Sequence, residues 1–224
     1  MAIEKVLTGI LFVLSEGCTW RGIDAPHARW NSIYQYYRGW CRHGLWEAVW
    51  ESVSPAAAPD TVYLDSTFIK VHRSGLNPEG GRDTQALGRT KGGWNSKVHA
   101  VVDRHGTPRA LFLSGGQVAD ISHARDLLEE LPKLPTRMVV ADKAYDSDAL
   151  RVWLFERDIT PCIPPKSNRQ SPLPYRQASY RRRHRVENCF AHLKTFRRVA
   201  TRYDKLAETF FGWVLLAVII KFGL

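Results

Sequence analysis

Apolar residues at the start of the chain recur every three or four positions: Ile3, Val6, Leu7, Ile10, Leu11 and Leu14. That spacing gathers them on one face of an α-helix, for which Gly17 supplies the stop. Residues 31–43 and 45–53 predict two further helices broken near Gly44, with Trp30, Ile33, Tyr34, Tyr37, Trp40, Trp46 and Trp50 as apolar bulk. Short helices with a tight turn fit a helix-turn-helix or a plain aromatic core, and without net positive charge here both stay open. SPAAAP (54–59) is a compositional break. The expected organisation is a helical N-terminal domain (1–54), a linker (55–60) and a second domain (61–224).

Beyond the linker the pattern changes to short, strongly apolar runs. TVYLDSTFIKVH (61–72) and NSKVHAVVD (95–103) predict strands, and a turn at 104–107 leads into a third strand at 109–113. The glycine-rich residues 75–93 between the first two strands predict a mobile loop. A helix follows at 121–131 with Asp120 as its N-cap, then a buried parallel strand at 137–142 (RMVVAD), a helix at 147–158 and a strand at 160–163. After a proline-rich loop (164–174), a long helix begins near Ser179. The apolar stretch 210–220 is too short to span a bilayer and ends at Lys221, so it predicts a buried helix rather than a membrane segment. Three strands, helix, strand, helix, strand, helix is the order of an α/β layer fold. The expectation is a mixed five-stranded sheet flanked by helices, arranged as in ribonuclease H.

Charge narrows the partners. The chain carries 32 Lys and Arg against 22 Asp and Glu, a formal net charge of +10. Residues 1–60 hold five basic and six acidic side chains, whereas residues 166–205 hold 12 basic and two acidic, a local excess equal to the whole net charge. Arg181, Arg182, Arg185, Arg197 and Arg198 belong to this strip. Arginine at such density suits bidentate, salt-dependent contacts with a nucleic-acid backbone. Cys18, Cys41, Cys162 and Cys189 lack paired metal-ligand spacing, which argues against structural zinc. Reduced thiols and no secretory signal point to a cytoplasmic protein.

Three acids carry the candidate chemistry. Asp65 interrupts an apolar, β-branched strand, and Asp142 ends another. A carboxylate inside a central strand costs several kcal/mol, roughly, unless something positive answers it, and two converging aspartates can be answered by a divalent cation. A helical wheel from Tyr180 at about 100° per residue places Tyr180, Arg183, Glu187 and Lys194 on one stripe. Val186, Cys189, Leu193 and Phe196 form a separate apolar stripe. Glu187 is thus held beside the core among cations. Two aspartates and a glutamate could hold a pair of Mg²⁺ ions about 4 Å apart, the arrangement used for phosphodiester cleavage and strand transfer. Asp65, Asp142 and Glu187 are therefore the candidate catalytic and metal-holding residues.

The pattern Y-x2-R-x3-E-x6-K, present as Tyr180, Arg183, Glu187 and Lys194, resembles the signature of DDE transposases in insertion-sequence families four and five. DKAY (142–145) and YLDSTFIK around Asp65 resemble the family's two other acidic motifs, and residues 88–108 are similar to the segment between them. With only 45 positions from Asp142 to Glu187, there is no room for the large β insertion of many family-four members, so family five is the closer fit. The resemblance implies DDE roles for Asp65, Asp142 and Glu187, with Tyr180, Arg183 and Lys194 contacting transposon-end DNA. It further implies Mg²⁺ or Mn²⁺ dependence, binding to double-stranded terminal inverted repeats and target DNA, and action as a homodimer or higher homo-oligomer. It also implies that the chain begins partway through the family's longer N-terminal region. A non-catalytic or truncated DNA-binding derivative and a stand-alone nuclease of the same fold are the alternatives.

Overall fold

The structure is a computed structural model, in which residues 2–23, 29–78, 80–131 and 136–223 are described. Three helices open the chain: α1 (Ile3–Glu16), α2 (Trp30–Arg42) and α3 (Leu45–Val53). Then follow β1 (Thr61–Val71), β2 (Gly88–Thr90), β3 (Gly93–Val102), β4 (Pro108–Gly115), α4 (Ala124–Glu129), β5 (Met138–Ala141), α5 (Asp148–Phe155) and β6 (Thr160–Cys162). The chain closes with α6 (Gln177–Tyr180), α7 (His184–Leu193), α8 (Arg197–Ala200), β7 (Thr201–Arg202) and α9 (Ala207–Phe222).

β1 is the pivot of the sheet. It runs antiparallel to β3 from Tyr63↔Val102 to Lys70↔Asn95, and parallel to β5 from Thr61↔Met138 to Leu64↔Ala141. β4 lies antiparallel on the far side of β3, and β6 lies parallel on the far side of β5. The five strands expected from the sequence thus form the order β4-β3-β1-β5-β6, antiparallel on one side of β1 and parallel on the other. This is a ribonuclease-H-like sheet. Two short strands bring the total to seven: β2 pairs with the start of β3, and β7 with the end of β1.

Alternation along the strands sends successive side chains to opposite faces. Tyr63, Ile69, Val98, Ala100, Val140 and Val186 join one apolar cluster, which continues through α7, α9 and the N-terminal helices. Val62, Leu64, Val101, Val139 and Ala141 join a second cluster with α4 and α5. α9 is apolar on nearly every side because it is enclosed, with Phe210 and the run Gly212–Ile219 all buried. Its Trp213 stacks on Tyr37 of α2 with ring centroids 3.9 Å apart, and the Tyr37 hydroxyl donates to Thr209 O at 2.7 Å. Gly212 permits that approach: a Cβ there would stand 2.5 Å from Cys41 Sγ. Tyr37, Cys41 and Trp46 are turned into the core, while Trp30 and Tyr36 stay exposed.

Three sequence expectations are revised. The long helix expected from Ser179 is broken, because Arg181–Arg183 form a 3₁₀ turn between α6 and α7. Arginine is a good helix former, so local propensity gives no sign of that break. The helix expected at 121–131 begins as a 3₁₀ turn (Asp120–His123) and becomes α-helical only at Ala124. The end of the glycine-rich segment, residues 86–93, is built into the fold: Leu87 is fully buried, Ala86 O accepts from Ser96 Oγ at 2.7 Å, and β2 joins the sheet edge.

One buried polar group makes the fold sensitive to pH. His99 on β3 is fully buried, its Nε2 lies 2.7 Å from Ser114 Oγ, and its Nδ1 has no hydrogen-bond partner among the described residues. Burial pulls its pKa down to about 4. The unfolded chain binds this proton near pH 6.5, so stability present above that pH is lost as pH falls toward 4, by about 3 kcal/mol. Urea unfolding between pH 7 and pH 4 should show this loss, and His99→Gln should flatten it.

Candidate active site

The site is assembled by strand register. Because Leu64 pairs with Ala141, Asp65 in β1 and Asp142, one residue past β5, come to neighbouring positions where the parallel pair ends. Ligands collect at this end of parallel strands in open α/β sheets. Asp142 is held by its own turn, its Oδ1 accepting from Ala144 N at 2.8 Å. Asp65 Oδ1 accepts from Ser66 N at 2.8 Å.

The third acid arrives on α7. Arg183, at the start of that helix, donates from Nη1 to Asp65 Oδ2 and from Nη2 to Glu187 Oε1, so a single guanidinium links the strand acid to the helix acid. Asp65 and Arg183 are largely enclosed, with 17% and 19% of their side chains exposed, while Glu187 is 52% exposed. Lys194 Nζ donates to Thr67 Oγ1 at 2.8 Å and Phe68 O at 3.1 Å, two and three residues beyond Asp65. The Arg183 guanidinium carbon lies 6.0 Å from the centroid of the Tyr180 ring. Residues up to 14 positions apart along the Y-R-E-K pattern therefore gather around the strand that carries Asp65.

Burial raises the Asp65 pKa and the Asp142 charge raises it further, against the pull of Ser66 N and Arg183. All three acids offer oxygen, which suits a hard divalent ion. Among the described residues, however, no three His, Cys, Asp or Glu side chains are gathered closely enough to hold an ion. The Arg183 guanidinium lies between two of the acids instead.

The basic strip divides in two. Arg181 and Arg182 are exposed and Arg185 is half-buried. Arg197 is exposed and approaches Glu16 at 3.5 Å. Arg198, expected to contact DNA, is 5% exposed: it pairs with Asp204 at 3.0 Å and donates to Cys18 O at 3.3 Å. Arg202 is likewise a core residue, donating to Ser96 Oγ at 2.6 Å and to backbone carbonyls. Counting charge along the sequence cannot separate these two from the surface arginines, because only packing decides where a guanidinium ends.

The sequence reading missed one supporting network. Asp120 caps no helix; its Oδ1 accepts from Lys97 Nζ at 2.7 Å and from Ser66 Oγ at 2.6 Å, beside Asp65. Lys97 is only 4% exposed and also donates to Val118 O at 2.6 Å. Burial alone would raise the Asp120 pKa, but Lys97 and Ser66 outweigh it and the pKa is lowered. A lysine inside the strand 95–103 was the available signal, since a buried ammonium needs an anion.

Residues 57–221 match the family model "Transposase DDE domain", and residues 2–50 match a transposase model of the IS4/5 family. The chain belongs to the DDE transposases. It is thus a nucleic-acid-cleaving and strand-transferring enzyme of a family that binds DNA and uses divalent metal ions. A protein named as a transposase for insertion sequence element IS6501 of Brucella ovis is 36% identical over 123 residues, covering 54% of this chain and 93% of that protein. A second, named for element IS402 of Burkholderia cepacia, is 32% identical over 143 residues, covering 56% of this chain and 65% of that protein. Among solved structures, the piggyBac transposase synaptic complex with hairpin DNA superposes with a TM-score of 0.47 at 12% identity, covering 76% of this transposase and 43% of that chain. No described helix of the transposase is long and apolar enough to cross a membrane.

Asp120→Ala leaves the Lys97 ammonium buried without its anion and should cost about 3 kcal/mol of stability. Adding Lys97→Met should recover most of that loss in urea unfolding; no recovery would mean that Asp120 matters for another reason.

Proposed function

We propose that this transposase binds the terminal inverted repeats of an insertion sequence and cuts and joins DNA by two-ion chemistry, with Mg²⁺ as the ion and Mn²⁺ able to replace it. The observation that carries this reading is the convergence of Arg183, Glu187 and Lys194 on the strand around Asp65, with Asp142 at the adjacent strand end. Asp65, Asp142 and Glu187 would hold the ions, which activate the attacking oxygen and stabilise the leaving 3′ oxygen. Tyr180, Arg183 and Lys194 position the scissile phosphate beside these acids. Arg181, Arg182, Arg185 and Arg197 grip the flanking backbone, whereas Arg198 acts indirectly by bracing α8 against Asp204. In this reading residues 61–224 are the catalytic unit and residues 1–54 brace it through their shared core with α9. The enzyme works in the cytoplasm as a homodimer or higher homo-oligomer on paired ends, with no disulfide among its described residues.

Asp65→Asn, Asp142→Asn and Glu187→Gln should each abolish Mg²⁺- or Mn²⁺-dependent cleavage of end-bearing duplex while leaving duplex binding largely intact. Full activity in any of the three rejects the assignment. Binding by the wild type with no cleavage in either metal would favour a non-catalytic derivative, and cutting without joining would favour a stand-alone nuclease.

Affinity for duplex should fall steeply with salt, the slope growing by roughly 0.9 for each phosphate neutralised. Replacing Arg181, Arg182 and Arg185 by Gln should flatten that slope. An unchanged slope would place the phosphates elsewhere.

A further inference from the structure

The Asp65–Arg183–Glu187 bridge raises a question that the two-ion reading leaves open, namely what answers the acids when neither metal nor DNA is bound. Asp65 is enclosed and sits at the strand position next to Asp142. Arg183 answers two of the acids, since one nitrogen of its guanidinium serves Asp65 and another serves Glu187.

We infer that Arg183 is a positioning residue that holds the place of the metal ions in the unloaded enzyme, competes with them for Asp65 and Glu187, and gives way when DNA arrives. Two features favour this over a static structural bridge. Glu187 is 52% exposed, so its side of the bridge can be opened without unpacking the core, and Arg183 closes the 3₁₀ turn Arg181–Arg183 at the N-cap of α7 rather than sitting within a continuous helix. Moreover, a guanidinium has five N–H donors and the two contacts engage two of its nitrogens, so the side chain can pass from carboxylate to phosphate in steps. The bridge keeps two acids from distant parts of the chain in register while the stronger cation is absent. It also makes metal uptake depend on DNA, because a phosphate that draws Arg183 away frees the carboxylates it had engaged. Binding equilibria coupled in this way are reciprocal. This inference rests on the two-ion reading.

The test is Mn²⁺ binding to the full chain, followed by the electron paramagnetic resonance signal of the free ion, with and without end-bearing duplex. Arg183→Gln should bind Mn²⁺ about tenfold more tightly than the wild type without DNA, as expected for loss of two partly screened ion pairs. Arg183→Lys, whose single ammonium cannot span both acids, should fall between them. Duplex should narrow the gap between Arg183→Gln and wild type. Equal or weaker Mn²⁺ binding by Arg183→Gln, with Asp65→Asn abolishing binding in the wild-type background, overturns the competition and leaves the two-ion reading standing. If circular dichroism shows Arg183→Gln unfolded, Arg183→Lys decides by the same criterion. No Asp65-dependent Mn²⁺ uptake by any of these proteins, with or without duplex, overturns the two-ion reading and this inference together.

Discussion

A carboxylate in the middle of a central strand has to be answered by positive charge, and the arrangement of the transposase around Asp65 follows from that requirement. Within a few ångströms of the strand, Arg183 and Lys194 approach from one face, while Lys97 is neutralised through Asp120 on the other. Ser66, next in sequence to Asp65, donates to Asp65 through its backbone and to Asp120 through its hydroxyl. The strand is therefore held on both faces by charge-assisted contacts, which are the stronger class of hydrogen bond. In a half-buried setting these contacts fix position more than they add net stability, because desolvation offsets much of the attraction.

The rest of the molecule supplies rigidity to that strand. β1 pairs with three strands, β3, β5 and β7, so its register cannot slip without disturbing both apolar clusters. The α9 helix closes one face, and the N-terminal helices close over α9 in turn through Tyr37, Trp46 and Trp213. Beside the site, Asp146 is 3% exposed and accepts from Arg151 at 2.8 Å, Arg169 at 3.0 Å and Lys166 N at 2.8 Å, which ties down the proline-rich loop after β6. Rigid supports of this kind let acids from distant parts of the chain keep a common geometry.

The strip of positive charge carries two separate jobs. Arg198 and Arg202 are spent inside the fold, against Asp204 and against backbone carbonyls, and contribute to how α8, β7 and α9 pack. Other arginines of the strip, among them Arg181, Arg182 and Arg197, stay exposed. Arg183 belongs to neither group, since it faces the acids themselves.

The sequence by itself determined the order of the principal elements and the five principal strands, and it singled out Asp65, Asp142 and Glu187 as candidates, because periodicity and the cost of a charge in an apolar run are local properties. The α2–α3 break at Gly44 and the enclosure of residues 210–220 were legible for the same reason. Only the tertiary structure decided which arginines face solvent, where the helix after Ser179 breaks, and that Asp120 serves Lys97 rather than a helix end. Each of these depends on a partner more than 20 positions away or on packing, and neither leaves a periodic trace. The arginine bridge across Asp65 and Glu187 is the clearest case: its i,i+4 half could be read from the chain, but its strand half exists only because α7 lies over β1.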